Sequence, residues 1–318
     1  MKRVFMIAVL CCSALSLGPR RAIAEEGGSG HYMPGSMASF MDAVPPKETF
    51  IIRYNMVHYA GSVGVGHPLP IAGITALGAS ADSWAHALTL CWRPAIDLGE
   101  SWSYAITATV PVVWMDVTAD VQTRSATISR SDSVVGLGDI ALTPLMLNYK
   151  VSPDFNVNFR VGFFAPTGSY QVGRLANTGK NFWTTEPTLG FMYFGTHNGF
   201  EASVFTGMDF NSTNTATDYK SGTQFHIDGT LAQHLPLFGH LAGVGVSGFY
   251  YDQITADSGS GATLGAFEAK DAGVGPVVSY VTKIGGLDFL AEFKWLPEVY
   301  TKKRLKGDIF WLKVILKL

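Results

Sequence analysis

Between residues 155 and 235 the chain alternates apolar and polar side chains with a period of two, and no other feature limits its fold as strongly. At 155–165 the odd positions Phe155, Val157, Phe159, Val161, Phe163 and Ala165 are apolar, with Asn156, Asn158, Arg160 and Gly162 between them. Successive side chains of a strand point to opposite faces, so this is a strand with one greasy and one polar face. A long connection at 166–182, a second strand at 183–195 and a tight turn at Thr196-His197-Asn198 follow. The strand at 200–210 then sets Phe200, Ala202, Val204, Met208 and Phe210 against Glu201, Ser203, Asp209 and Asn211. This block reads as the wall of a membrane β-barrel.

The first 24 residues read as a secretory leader rather than as part of the fold. Lys2 and Arg3 precede an apolar core at 4–18, and Ala22-Ile23-Ala24 forms an A-x-A cleavage site before Glu25. The core is too short for a bilayer-spanning helix, and Pro19, Arg20 and Arg21 end it. The whole chain has 23 basic and 25 acidic residues; the leader carries four of the basic ones and no acid, so 19 face 25 afterwards, a net −6. That balance argues against a nucleic-acid partner. Cys11 and Cys12 leave with the leader, so Cys91 has no intrachain disulfide partner. No second apolar run reaches spanning-helix length, and a chain that enters a membrane without such a run must do so as a closed barrel.

Residues 25–47 are glycine-rich and irregular. Tyr32, Met33, Phe40 and Met41 are costly to leave in water, so the segment is expected to tuck into the barrel mouth or lumen, with 28–41 as a candidate plug. The barrel proper is assigned to 48–318. Its first strand, 49–59, places Phe50, Ile52, Tyr54 and Met56 outward and Arg53 inward. The connection at 60–82 contains Leu69, Ile71, Ile74 and Leu77, which suits a loop folded over the pore or touching lipid. At 85–98, Leu88, Leu90, Trp92 and Ile96 face outward, which puts Cys91 and Arg93 in the lumen; at 102–116, Trp102, Tyr104, Ile106, Val110, Val112 and Trp114 share a register. A polar loop is expected at 117–132. The strand at 134–149 alternates poorly around Gly136 and Gly138, which predicts a bulge or close contact with the amino-terminal segment. Five further strands follow, at 222–235, 240–252, 272–283, 287–296 and after residue 306.

Connections after odd-numbered strands read as long and those after even-numbered strands as short. This asymmetry marks an outer-membrane barrel with long extracellular loops and tight periplasmic turns. A soluble sandwich alternates in the same way, but its loop lengths need not. Tyr59, Trp102, Trp114, Trp183, Trp295 and Tyr300 suit interfacial girdles. The expected fold is all-β: an antiparallel transmembrane β-barrel of about twelve strands.

The chain also resembles the family named for the meta-pathway of phenol degradation. The resemblance rests on Glu26-Gly27-Gly28-Ser29-Gly30-His31-Tyr32-Met33-Pro34-Gly35, Gly136-Leu137-Gly138-Asp139, Phe164-Ala165-Pro166-Thr167-Gly168-Ser169-Tyr170 and Asn177-Thr178-Gly179-Lys180-Asn181-Phe182-Trp183. It continues through Phe210-Asn211, Asn214, Thr217-Asp218-Tyr219-Lys220-Ser221-Gly222 and Phe225-His226-Ile227-Asp228, and so covers nearly all of the mature chain. It implies an outer-membrane transporter of aromatic or other hydrophobic compounds and names no solute.

The function expected is passive uptake of a small hydrophobic or aromatic compound across the bacterial outer membrane, with no enzymatic activity and no cofactor. No nucleotide-binding loop is present. The lumen set is mixed in sign: Arg53, Arg93, Arg160, Glu186, Glu201, Asp209, Asp228, Asp288, Glu292, Lys294 and Lys313. Such charges must pair between strands or stay wet. The solute path is expected to run past Tyr32, Phe40, Arg53, Arg93, Arg160, Glu186, Glu201, Asp209, His226 and Asp228. His226 and Asp228 face the same side of one strand, about 7 Å apart. A metal would need a third ligand, from Glu201 or Asp209, and the plainer reading is a hydrogen-bonded luminal histidine with no metal. The alternatives are a barrel enzyme acting on lipid with His226 as base, and a structural or adhesive surface protein. Arg124, Ser125, Arg130 and the Lys302-Lys303-Arg304 run read as solvated or facing lipopolysaccharide. The expected partners are outer-membrane lipid, lipopolysaccharide and a small hydrophobic solute, with the oligomeric state left open.

Overall fold

Among the described residues of the computed structural model, fourteen strands form one antiparallel sheet, and twelve of them close on themselves. Residues 29–64, 66–123, 126–264 and 268–318 are described. The leader at 1–24, Cys11 and Cys12, the start of the glycine-rich stretch up to Gly28, and Arg124 with Ser125 lie outside the described residues. The strands are β1 (Thr49–Val63), β2 (Leu69–Ile71), β3 (Ile74–Arg93), β4 (Trp102–Gln122), β5 (Thr127–Leu137), β6 (Ile140–Lys150) and β7 (Phe155–Ala165). The second half comprises β8 (Thr184–Phe194), β9 (Phe200–Asn211), β10 (Gln224–Leu237), β11 (His240–Gln253), β12 (Lys270–Ile284), β13 (Leu287–Lys302) and β14 (Lys306–Lys317). The hydrogen-bonded circuit runs β3-β1-β14-β13-β12-β11-β10-β9-β8-β7-β6-β4, and the β3–β4 pairing closes it. Closure removes the free sheet edge that lipid could not satisfy. Among the described residues no helix is long and apolar enough to cross a membrane.

The period-two pattern resolves as a greasy exterior and a polar lumen. Phe50, Leu88, Leu90 and Leu231 are each at least half exposed, whereas their neighbours Cys91 and Thr230 are buried. Two aromatic belts bound the exterior. Trp114, Trp84, His58, Phe310 and Trp295 sit side by side on β4, β3, β1, β14 and β13. Toward the tight-turn end, Phe50 stacks on Trp92 at 5.8 Å and Trp102 packs on Tyr149 at 4.8 Å. These are the amphipathic rings expected at the two membrane interfaces.

Several connections differ from the sequence reading. The stretch 60–82 is mostly strand: β1 continues to Val63 and β3 begins at Ile74. Likewise 117–132 is a hairpin of β4 and β5, not a polar loop, and 297–306 is largely the end of β13. Outside the membrane belt a strand no longer alternates apolar with polar, so its polar residues imitate a loop. The strand expected at 85–98 ends at Arg93, so the connection occupies 94–101 and Ile96 lies in it rather than on the outward face. Tyr59 faces inward and donates its hydroxyl proton to Glu298 at 3.3 Å, so it is not a girdle residue. Arg304 is buried, with its guanidinium 4.4 Å from the ring centre of Tyr251, and so is neither solvated nor at the lipopolysaccharide surface.

β5 and β6 are one stave broken at Gly138 and Asp139: β4 pairs with β5 through Val112↔Leu137 and with β6 through Thr109↔Ala141. Pro111 faces the break, has no N–H to give, and accepts from Gly138 N at 2.9 Å. Only β6 pairs with β7, so β5 needs another cover. The loop at 166–183 provides it. Thr178 donates to Leu137 O at 2.7 Å, and Asp139 accepts from Gly168 N and Lys180 N at 2.8 and 2.7 Å. Above the belt, β2 folds back on β3, and Leu69, Ile71, Val117, Val121 and Leu175 bury one another across the mouth.

Candidate functional site

Residues 29–44 lie inside the barrel, descending from the long-loop end toward the tight turns. Near the top, Lys180 Nζ donates to Ser29 O at 2.6 Å, and His31 is 2.9 Å from Asp139 and 2.7 Å from Thr184. The break in the β5–β6 stave therefore presents Asp139 to the amino-terminal segment and to the 166–183 loop together.

At the next residue, Tyr32 donates to both carboxylate oxygens of Asp228 at 2.9 Å, and Gly35 N donates to the same group at 2.6 Å. Trp311 Nε1 donates to Pro34 O at 2.8 Å and Lys294 Nζ to Gly35 O at 3.0 Å. Gly35 has φ +82°, a conformation that favours glycine, and a Cβ there would stand 2.5 Å from Leu296 Cδ1, so that side chain would have to shift to admit one.

The foot of the segment is a single 3-10 turn, Phe40–Asp42. Asp42 is fully buried and accepts from Lys313 at 2.8 and 2.9 Å, from Arg53 at 3.1 Å and from the backbone N–H groups of Ala38 and Ser39. Burial alone would push this carboxyl up; Lys313, Arg53 and Lys294 outweigh it and hold it well below the usual carboxylate range. Arg160 donates to Asp42 O at 2.9 Å, and its guanidinium lies 5.1 Å from the ring centre of Phe205. Phe40 N donates to Glu201 at 2.7 Å, and the Phe40 ring meets His234 edge-on at 5.0 Å.

Nine of the ten residues expected along the solute path thus either belong to this segment or lie near it on the luminal wall. Tyr32 and Phe40 are on the segment. Asp228, Glu201, Arg53 and Arg160 bind it directly, and His226 stacks under Tyr32 with ring centres 4.1 Å apart. Glu186 and Asp209 reach His226 at 2.9 and 3.9 Å. Arg93, the last residue of β3, stands apart, paired across to Thr49 at the tight-turn rim. The expected pairing of luminal charges between strands occurs in part, as Lys313 on β14 with Glu292 on β13 at 3.8 Å, but the segment takes up much of the rest.

Sequence reasoning missed Asp42, His31, Phe205, His234 and Thr188. His234 shares the parity of His226 on β10, and Phe205 shares that of Glu201 on β9, so both could have been placed in the lumen. Asp42 carried no such signal, because an irregular segment has no period. Of the two third ligands considered for a metal, Asp209 lies beside His226, and Glu201 is instead occupied with His234 at 2.8 Å and Phe40 N.

A family model described as "Putative MetA-pathway of phenol degradation" matches residues 68–314. Among solved structures, the COG4313 outer membrane channel from Pseudomonas putida F1 aligns with a TM-score of 0.65 at 14% identity, over 91% of this chain and 100% of that one. The β domain of the Bordetella autotransporter BrkA aligns with a TM-score of 0.50 at 9% identity, over 86% of this chain and 100% of that one. No curated protein sequence matches significantly. At these identities the structural likeness establishes the fold. A closed barrel with a lipid-facing apolar belt places the chain in the bacterial outer membrane.

Proposed function

The chain belongs to the MetA-pathway of phenol degradation family of outer-membrane barrels, and from that premise we propose that it is a passive channel for small hydrophobic or aromatic compounds. The observation that carries this reading is the filled lumen. Segment 29–44 is held by side-chain hydrogen bonds and ion pairs and contributes no strand to the barrel wall. A stopper attached in this way can shift without breaking a single ladder of the wall. Its own aromatic faces, Tyr32 and Phe40, and the luminal Phe205 and Tyr251 offer an apolar solute ring contacts among the charges.

Transport is driven by the solute gradient, since the chain holds no nucleotide-binding loop. Hydrolysis of lipid suits the site poorly. His226 points into the lumen beneath Tyr32, on the face of β10 opposite the lipid-facing Leu231.

The test is solute uptake by liposomes carrying the purified protein, with phenols, alkanes and fatty acids as the panel. Saturable uptake of one class, faster after deletion of residues 29–43, is the expected result. No flux of any solute, together with phospholipid hydrolysis that His226→Ala abolishes, would replace the channel with a lipid-acting enzyme. No flux and no hydrolysis would leave a structural or adhesive surface protein.

A further inference from the structure

Three buried side chains on consecutive strands converge in the upper lumen: Glu186 on β8, Asp209 on β9 and His226 on β10, with one potential ligand atom from each lying within 4.8 Å of the others. His226 Nε2 stands 2.9 Å from Glu186 Oε1 and 3.9 Å from Asp209 Oδ1. Two ligands that share a divalent cation at about 2.0–2.2 Å each are roughly 3–3.5 Å apart, a value these two distances bracket.

A second feature points to the same spot. Thr188 is 2% exposed, and its hydroxyl makes no hydrogen bond. A Cβ placed on Gly207 would meet His226 Nε2 at 2.6 Å and Thr188 Oγ1 at 2.9 Å, so the hydroxyl and the imidazole nitrogen flank one point that only glycine leaves open. Buried polar groups are ordinarily satisfied, and an unsatisfied hydroxyl beside two carboxylates and an imidazole fits a cation or its bound water. The far ring nitrogen of His226, Nδ1, lies 3.7 Å from Asp228 Oδ2. At that distance the two are not directly hydrogen-bonded, but the negative charge of the carboxylate favours a proton on Nδ1, which leaves the Nε2 lone pair toward the cluster.

We propose that Glu186, Asp209 and His226 bind one divalent first-row cation, with Thr188 contributing directly or through water and Asp228 acting as a positioning residue. One imidazole with two carboxylates suits Zn2+ or Mn2+ and not a soft monovalent ion, and the two carboxylates balance a 2+ charge. The bound ion joins three strands of the wall. Through the Tyr32 ring stacked on His226 at 4.1 Å, it also fixes the upper end of the luminal segment.

The test uses the full chain without a histidine tag, folded in detergent, stripped with chelator and dialysed against Zn2+ or Mn2+. Elemental analysis should find one equivalent retained. Glu186→Gln and Asp209→Asn should each weaken retention at least tenfold, Asp228→Asn should weaken it by less, and Glu100→Gln, on the exposed 94–101 connection, should leave it unchanged. Heat-modifiable gel mobility verifies that each variant is folded. Should the variants not fold, the wild type loaded with Cu2+ serves instead, and its electron paramagnetic resonance spectrum should show coupling to a single nitrogen. The proposal is overturned if the folded wild type retains no stoichiometric metal, if retention is unchanged in both carboxylate variants, or if the copper spectrum shows no nitrogen or several.

Discussion

Lys313 on β14 donates through Nζ to both carboxylate oxygens of Asp42, at 2.8 and 2.9 Å, and so joins the last strand of the wall to the foot of the luminal segment. Both groups are buried, and Arg53 adds a third bond at 3.1 Å. Removing one member of such a pair leaves the other charged and dry, which costs about 3–5 kcal/mol. Asp42→Asn and Lys313→Met should therefore each loosen the segment and raise the open probability in planar bilayers. The double substitution should cost less than the sum of the two. Unchanged conductance in both single variants would mean that the segment is not held at this point.

The same carboxylate sets a pH response. Lys313, Arg53 and Lys294 hold Asp42 below its ordinary range against the effect of burial, so docking favours the charged form. For a depressed acid, the stabilisation is complete above the value of the free group, about 3.9, and is lost as the pH falls through the docked value below it. Conductance should stay at its resting level from pH 7 down to about 4 and rise only in stronger acid. In Asp42→Asn this acid-induced rise should be absent. An opening centred near pH 6 in the wild type would assign the response to another group.

Much of the barrel was legible because a lipid-facing strand must alternate. Phe225, Ile227 and Leu231 against His226, Asp228 and Thr230 fixed both the strand and its luminal face, and the family match and the closed twelve-strand circuit agree with it. Beyond the belt the constraint lapses: Thr118, Asp120, Ser129 and Arg130 look like a loop and are paired strand, Thr118↔Ser131 and Asp120↔Ser129 among them. The luminal partners were only half legible. Parity puts Glu201 and Asp228 inside, but nothing periodic says that they meet the backbone of Phe40 and Gly35 rather than one another.

Gly168 and Gly179 show how tightly the loop beside β5 is shut. A Cβ on either would lie 2.6 Å from backbone atoms of the other, where no flexible side chain can yield. Gly179→Ala should therefore force the loop open, at about 1–3 kcal/mol. Trypsin reports the change, because Arg174 in this loop is pinned to Asp132 by bonds of 3.1 and 3.0 Å. Cleavage after Arg174 should quicken about 5–160-fold, following the open population. Gly173→Ala, where a Cβ meets nothing within 4 Å, carries only the strain of its φ of +83° and should quicken cleavage less. Equal rates in the two variants would mean that the Gly168–Gly179 contact does not close the loop.

Leu88 tests where the membrane lies. It is half exposed, pairs with Tyr54 and Val110, and sits midway on β3 between Trp84 and Trp92, one from each aromatic belt. The eight residue steps between those tryptophans rise about 26 Å along the strand, which at a tilt of about 35–45° spans about 18–21 Å of membrane height, most of an apolar band about 25 Å tall. An arginine at the midplane of such a band costs roughly 2–4 kcal/mol and one near its edge about 0–1. Leu88→Arg should accordingly destabilise the barrel by the larger amount and Trp84→Arg by the smaller, read from urea unfolding in vesicles by far-ultraviolet circular dichroism. Arginine as costly at position 84 as at 88 would move the lipid boundary toward the long loops, and the lower half of the β3–β4–β5 extension would then be wall rather than mouth.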